Sequence, residues 1–288
     1  MMLMACLAGA VRAQVPIREG AMEKLVIAPG TNPDAWVAAE ATMASSVEMA
    51  RTGEAALHFH IDVDHYAGEV NYPIGWPRAF IALGEPWQQN WADYDSLRLW
   101  VYTDTSRDSL PSAPLGMIIH APDKAHSFNY TMGELVKGEW VSIEIPLTRI
   151  PNPSEVTRIQ FFISESNYRH GDVVDFYIDD ICLLRHAAAH VSDLAVRPRV
   201  AYSDLSAVMV VFRALGIRAE ARTPATLTLN SDGNQLVRSD VEVSRGTNSI
   251  ALPLGEGLAE GTYEVLVKLA DTEPVTTPLR LVGSPWAQ

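Results

Sequence analysis

Short runs in which apolar and polar residues alternate recur along most of the chain, and Gly, Pro, Asn and Asp break them at close intervals. A period of two marks a half-buried strand, because successive side chains point to opposite faces of a sheet. The pattern predicts strands over 36–42, 55–63, 97–103, 115–120, 127–132, 140–146, 159–164 and 176–184. It pauses at the segment from His186 to His190 and resumes over 191–196, 208–212, 225–229, 237–243, 248–253, 262–269 and 279–282. The class is all-β, with a jelly-roll sandwich over 14–186 and a smaller sandwich over 191–284. No segment repeats another, so the two units are expected to differ.

Side-chain parity says more than strand count. In the second predicted strand Leu57, Phe59, Ile61 and Val63 take one face, which leaves His58, His60, Asp62 and Asp64 on the other. In the third, Leu97, Leu99 and Val101 take the core side and expose Arg98, Trp100 and Tyr102. Large rings and directional hydrogen-bonding groups on a non-core face suit a sugar, whose flat C–H face stacks on an aromatic ring while its hydroxyls need polar partners. The alternative is that the second unit, the N-terminal segment or a loop covers Trp100 and Tyr102. A second aromatic cluster lies on the loop over 71–91, where Tyr72, Trp76, Trp87 and Trp91 are interleaved with Pro73, Pro77 and Pro86. Rings on such a loop either meet a ligand or pin the loop to the body.

Length and charge narrow the reading. A chain of 288 residues exceeds one ordinary sandwich, and 48% hydrophobic with 20% charged residues is a globular balance. With 35 acidic against 22 basic residues the net charge is −13, a field that repels phosphate backbones and anionic membranes. Nucleic acid is excluded as an expected partner, and no later run approaches the ~18 apolar residues of a membrane span. Residues 1–13 read as a secretory signal, a short apolar run closed by Val11-Arg12-Ala13, though no Lys or Arg precedes it. A secreted or periplasmic protein follows. Cleavage there removes Cys6 and leaves Cys182 without a disulfide partner, so packing must supply the stability.

Three segments carry a family resemblance: Tyr94-Asp95-Ser96-Leu97-Arg98-Leu99-Trp100-Val101-Tyr102, Gly138-Glu139-Trp140-Val141-Ser142-Ile143-Glu144-Ile145-Pro146-Leu147, and Asp175-Phe176-Tyr177-Ile178-Asp179-Asp180-Ile181. In this order and spacing the trio resembles the galactose-binding-like jelly roll of many carbohydrate-binding modules, over roughly 35–185. The resemblance implies a non-catalytic module that binds a polysaccharide or oligosaccharide by aromatic stacking; strand parity makes Trp100, Tyr102, His58, His60, Asp62 and Arg98 the candidate contacts, and the aromatic loop adds Trp76 and Trp87 as a second set. The resemblance also implies a structural calcium ion at Glu40 and Asp179. Relatives of this fold serve too as spacers beside the catalytic domain of a glycoside hydrolase, so fold alone does not fix the role. The later pieces Gly246-Thr247-Asn248-Ser249-Ile250 and Glu260-Gly261-Thr262-Tyr263-Glu264-Val265 resemble the closing strands of immunoglobulin-like or fibronectin-like domains.

Enzymatic readings find little support. The chain has no nucleophile elbow, zinc-protease helix, phosphate loop or dinucleotide fingerprint. The stripe His58, His60, Asp62, Asp64 offers metal ligands, but alternate residues on one strand are about 6–7 Å apart, so an ion needs a further ligand such as His120. A polysaccharide-cleaving reading would pair Asp62 with Glu144 or Glu165 across a cleft.

Overall fold

The computed structural model describes residues 16–67, 75–255 and 257–285. The signal segment and Cys6, like Tyr72 and Pro73, lie outside the described residues. Alternating sequence becomes strand almost throughout: β1 (Ile17–Glu19), β2 (Met22–Ala28), β3 (Trp36–Ala39), β4 (Thr42–Ser46), β5 (Ala56–Asp62), β6 (Arg78–Ala82), β7 (Ser96–Thr105), β8 (Gly116–His120), β9 (Phe128–Thr131), β10 (Trp140–Pro146), β11 (Arg158–Phe162) and β12 (Val173–His186). The expected single strand over 36–42 is two, because Glu40 takes a left-handed turn (φ 57°) that sends β3 and β4 to different sheets. β1, β2 and β6 were not foreseen.

Strand β12 is the spine of the first sheet. Along one edge it pairs with β7, which pairs in turn with β10. Along the other it pairs first with β5, through Val173 to Ile178, and then with β2, through Ile181 to His186. β4 and β1 complete the outer edge. A bulge interrupts the register with β7 between Asp179 and Cys182, and Asp180 sits in it at φ 53°. Such a bulge re-aims side chains, and here it turns the Asp180 carboxylate onto Lys24 and Arg98.

The second sheet runs β3-β6-β11-β8-β9. Between the two sheets Leu57, Phe59, Ile61, Leu97, Leu99, Val101, Phe176 and Ile178 meet Ala79, Ile81, Met117, Ile119, Ile159 and Phe161, all buried. A separate core forms from Val191 to Leu281. It lies in a smaller sandwich of β13 (His190–Arg197), β14 (Val200–Tyr202), β15 (Ala207–Leu215), β16 (Thr223–Ser231), β17 (Asn234–Val243), β18 (Gly246–Pro253), β19 (Gly261–Leu269) and β20 (Val275–Val282), arranged as sheets β13-β15-β18 and β14-β20-β19-β16-β17.

The two units meet away from the outer face of the first sheet. Asp95, 7% exposed, accepts backbone N–H groups of His186 at 2.8 Å and Gly216 at 3.1 Å, while Asp93 accepts that of Ala219 at 3.1 Å. Arg245 donates to the carbonyl of Tyr94. A buried carboxylate that accepts N–H bonds from both sides ties the Tyr94-Asp95 segment to the junction. Cys182 is free and fully buried among these strands, as a cysteine with a packing role is.

Candidate functional site

Strand register decides what the outer face of the first sheet presents. The two strands whose parity marks them as unusual, β5 and β7, are not neighbours; β12 lies between them and fills the gap with its own outward residues. Tyr177 stands opposite His58 on one side and Tyr102 on the other, and Tyr102 stands opposite Trp140. The result is one line of rings across four strands: His58, Tyr177, Tyr102, Trp140. His58 and Tyr177 are parallel at 4.5 Å, Tyr177 meets Tyr102 edge-on at 6.0 Å, and Tyr102 and Trp140 are 5.7 Å apart. All four are half-buried, with one surface open.

Polar rows flank the rings on either side. One is Thr42, His60, Asp175 and Asp104 in register on successive strands. The other is Asp179, Trp100 and Ser142. Trp100 is not bare, because the Arg51 guanidinium lies 3.6 Å above its ring, a cation–π contact. Within the described residues that guanidinium makes no hydrogen bond or ion pair, and it projects into a groove of about 600 Å³ that Lys24, Arg98 and Asp180 also line. The cover on Trp100 therefore comes from the loop before β5, and neither Trp100 nor Tyr102 is roofed by the second sandwich.

Next to the rings is a tight cluster. His58 Nε2 lies 2.6 Å and His60 Nδ1 2.7 Å from the same oxygen, Asp175 Oδ1. The hydrogen bond to Asp175 raises the pKa of His60 above its usual 6.5, against the effect of burial. Burial pushes Asp175 the other way, but the bonds from His60 and His58 hold its carboxyl below 3.8. The linkage has two edges. The raised His60 contributes stability that is full below 6.5 and is lost as pH climbs through its higher folded pKa. The lowered Asp175 contributes stability present above 3.8 and lost as pH falls through its lower folded pKa. Thermal melts in a chelating buffer are expected to show the stability difference between wild type and His60→Gln widest between 3.8 and 6.5 and shrinking above. A difference that does not change with pH would contradict the assignment.

The remaining expected residues fall elsewhere. Arg98 is engaged by Asp180 at 2.6 Å. Asp62 is 79% exposed at the rim, 3.5 Å from His60 Nε2. Trp87 packs on the core and Trp91 is fully buried, so the proline-rich loop uses both as pins. Trp76 is exposed but packs edge-on against Phe162 of the second sheet, away from the ring row.

Glu40 and Asp179 are not brought together. Asp179 accepts the N–H groups of Arg51, Thr52 and Asp180, so its lone pairs face donors rather than the oxygen-rich shell that calcium takes. Glu40 lines a separate cavity of about 280 Å³ and accepts the N–H of Trp76 at 2.6 Å. These two residues do not fit a shared calcium site. His120 lies on β8 in the opposite sheet and cannot join His58 and His60. Asp62 and Glu144 cannot act as a pair, since their register partners on and beside β12 put them on the order of 25 Å apart, beyond any glycosidase spacing. Glu165, 3% exposed, has both oxygens taken by the N–H groups of Asp64 and Gly75.

No protein-family model and no curated protein matches the chain. Solved structures do. The chain is similar to CBM28, a carbohydrate-binding module specific for non-crystalline cellulose, at 13% identity and TM-score 0.36, covering 59% of this chain and 97% of that one. It is similar to the C-terminal family 22 carbohydrate-binding module of Clostridium thermocellum Xyn10B, at 14% identity and TM-score 0.33, covering 54% of this chain and 87% of that one. It is also similar to the Endo-D glycoside hydrolase domain of Streptococcus pneumoniae R6, at 13% identity and TM-score 0.32, covering 85% of this chain and 37% of that one. The chain thus spans little more than a third of that enzyme domain's length.

Parity in the sequence found His58, His60, Trp100 and Tyr102 but not Tyr177, Asp175 or Trp140. The same signal was there. Tyr177 alternates with the buried Phe176 and Ile178, and Trp140 shares parity with Ser142 and Glu144. Among the described residues no helix is long and apolar enough to cross a membrane.

Proposed function

We propose that the outer face of the first sheet binds a polysaccharide along the row His58, Tyr177, Tyr102, Trp140. The observation that carries this reading is the row itself: four half-open rings in one line, held in register by four paired strands. Cross-strand ring pairs stabilise the sheet by themselves, and the surfaces they leave open suit the C–H faces of successive pyranose units. The flanking carboxylates, imidazoles and hydroxyls of Asp104, Asp175, His60, Thr42 and Ser142 then accept or donate to sugar hydroxyls. In the cell this is the role of an exported accessory unit working beside a catalytic partner.

Affinity electrophoresis on a panel of neutral and acidic polysaccharides tests the proposal. Retardation by at least one β-linked glycan is expected. Uniform mobility on every glycan would leave the first sandwich as a spacer.

A further inference from the structure

Three potential ligand atoms converge beside the ring row. His58 Nε2, His60 Nδ1 and Asp175 Oδ1 all lie within 4.8 Å of one another, with both nitrogens at hydrogen-bond distance from the one oxygen. Each nitrogen either donates its N–H to that oxygen or presents a lone pair that a metal ion can share with it. Two imidazoles with one carboxylate are the donor set of borderline dications rather than of calcium or magnesium.

The surroundings are those of a prepared site. Adjacent strands fix the backbone of all three residues, His60 and Asp175 being direct register partners. The His58 ring is held flat against Tyr177 at 8° between planes. The second nitrogen of His60 faces the Asp62 carboxylate at 3.5 Å, the kind of outer carboxylate that orients a metal-bound histidine and fixes its tautomer. His58, His60 and Asp175 side chains are 25%, 30% and 24% exposed, which leaves room for a fourth ligand from solvent on the outer face of the sheet.

We infer that His58, His60 and Asp175 form a three-ligand site for a borderline transition-metal dication, Zn²⁺ above all, with Asp62 as the orienting outer carboxylate. An ion there offers its open position to water or to a hydroxyl of whatever lies on the row. The site stands independently of glycan binding, and its test contains no glycan.

The full chain, stripped with a chelator, is titrated with Zn²⁺ by calorimetry and with Co²⁺ by visible absorption. Saturation at one equivalent is expected, with Co²⁺ bands of a low-coordinate nitrogen and oxygen site. His58→Gln and Asp175→Asn should each weaken binding by about tenfold or more, and Asp62→Asn by about tenfold, as loss of an outer partner does. His190→Gln, which alters the separate stacked pair of His186 and His190, should bind as wild type does. Circular dichroism and melts of the metal-free variants establish folding. Should Asp175→Asn fail to fold, the rim variant Asp62→Asn and His58→Gln carry the result. No saturable Zn²⁺ binding by wild type would overturn the site and leave a hydrogen-bonded cluster, as would unchanged affinity in His58→Gln and Asp62→Asn.

Discussion

Tyr177→Ala is expected to lower affinity for a retarding polysaccharide by at least about tenfold, the largest loss of any single ring. One lost sugar-stacking contact worth about 1.4 kcal/mol is already a factor of ten. Tyr177 does more than supply one surface: it lies flat on His58 and edge-on to Tyr102, so its removal opens the middle of the row and frees both neighbours. Trp140→Ala, at the end of the row, should cost affinity while leaving the other three rings in place. Trp100→Ala should cost less than Tyr177→Ala, because Trp100 lies outside the row, opposite Asp179 and under Arg51. Trp76→Ala, on the far side of the sandwich, should change nothing. Affinity gels run on the four variants give the order directly. A loss confined to Trp100→Ala would move the site into the groove beside Arg51.

Asp180→Asn is expected to produce the largest loss of stability. Asp180 is 3% exposed on its side chain and holds two cations at once, Lys24 Nζ and Arg98 Nη2, each at 2.6 Å. Burial opposes the charge on Lys24, and the bond to Asp180 is what keeps its pKa raised. Removing the one carboxylate leaves two cations largely out of water with only Glu19 near Lys24. Breaking a buried ionic group from one side costs about 3 kcal/mol or more, which is on the order of 6–12 °C in Tm for a unit of this size. Asparagine keeps the left-handed backbone of the bulge, so the change isolates charge from conformation. Asp240→Asn, in the exposed pair with Arg238, should leave Tm unchanged, as surface pairs do. Differential scanning calorimetry on the two variants measures both, and equal melting points would contradict the account of the bulge.

How much of this was legible in the sequence follows from which forces are local. Alternation is local, so the strands over 55–63, 97–103 and 140–146 and their outward faces could be read directly. Register is not local. That β12 would lie between β5 and β7, and so bring Tyr177 between His58 and Tyr102, depends on pairing across more than a hundred residues of separation, as in the His58–Asp175 contact. The same holds for Arg51 over Trp100 and for the three N–H groups that occupy Asp179. Strand β2 escaped because Met22–Ala28 closes on the near-continuous apolar run Leu25, Val26, Ile27, Ala28 rather than an alternation. The break at Glu40 escaped because a left-handed turn at a non-glycine residue leaves no mark in composition.

In the proposed binding mode the four rings act together as one extended platform. From His58 to Trp140 the row crosses three inter-strand gaps, roughly 14 Å, the length of about three or four pyranose units. Calorimetric titration with oligosaccharides of increasing length, cut from the polysaccharide that retards the chain most, measures that span. Affinity is expected to climb to a plateau at about three or four units and to fall furthest in Tyr177→Ala; a monosaccharide binding as tightly as the longer chains, or a Tyr177→Ala variant binding them undiminished, would show that the rings do not work as one row.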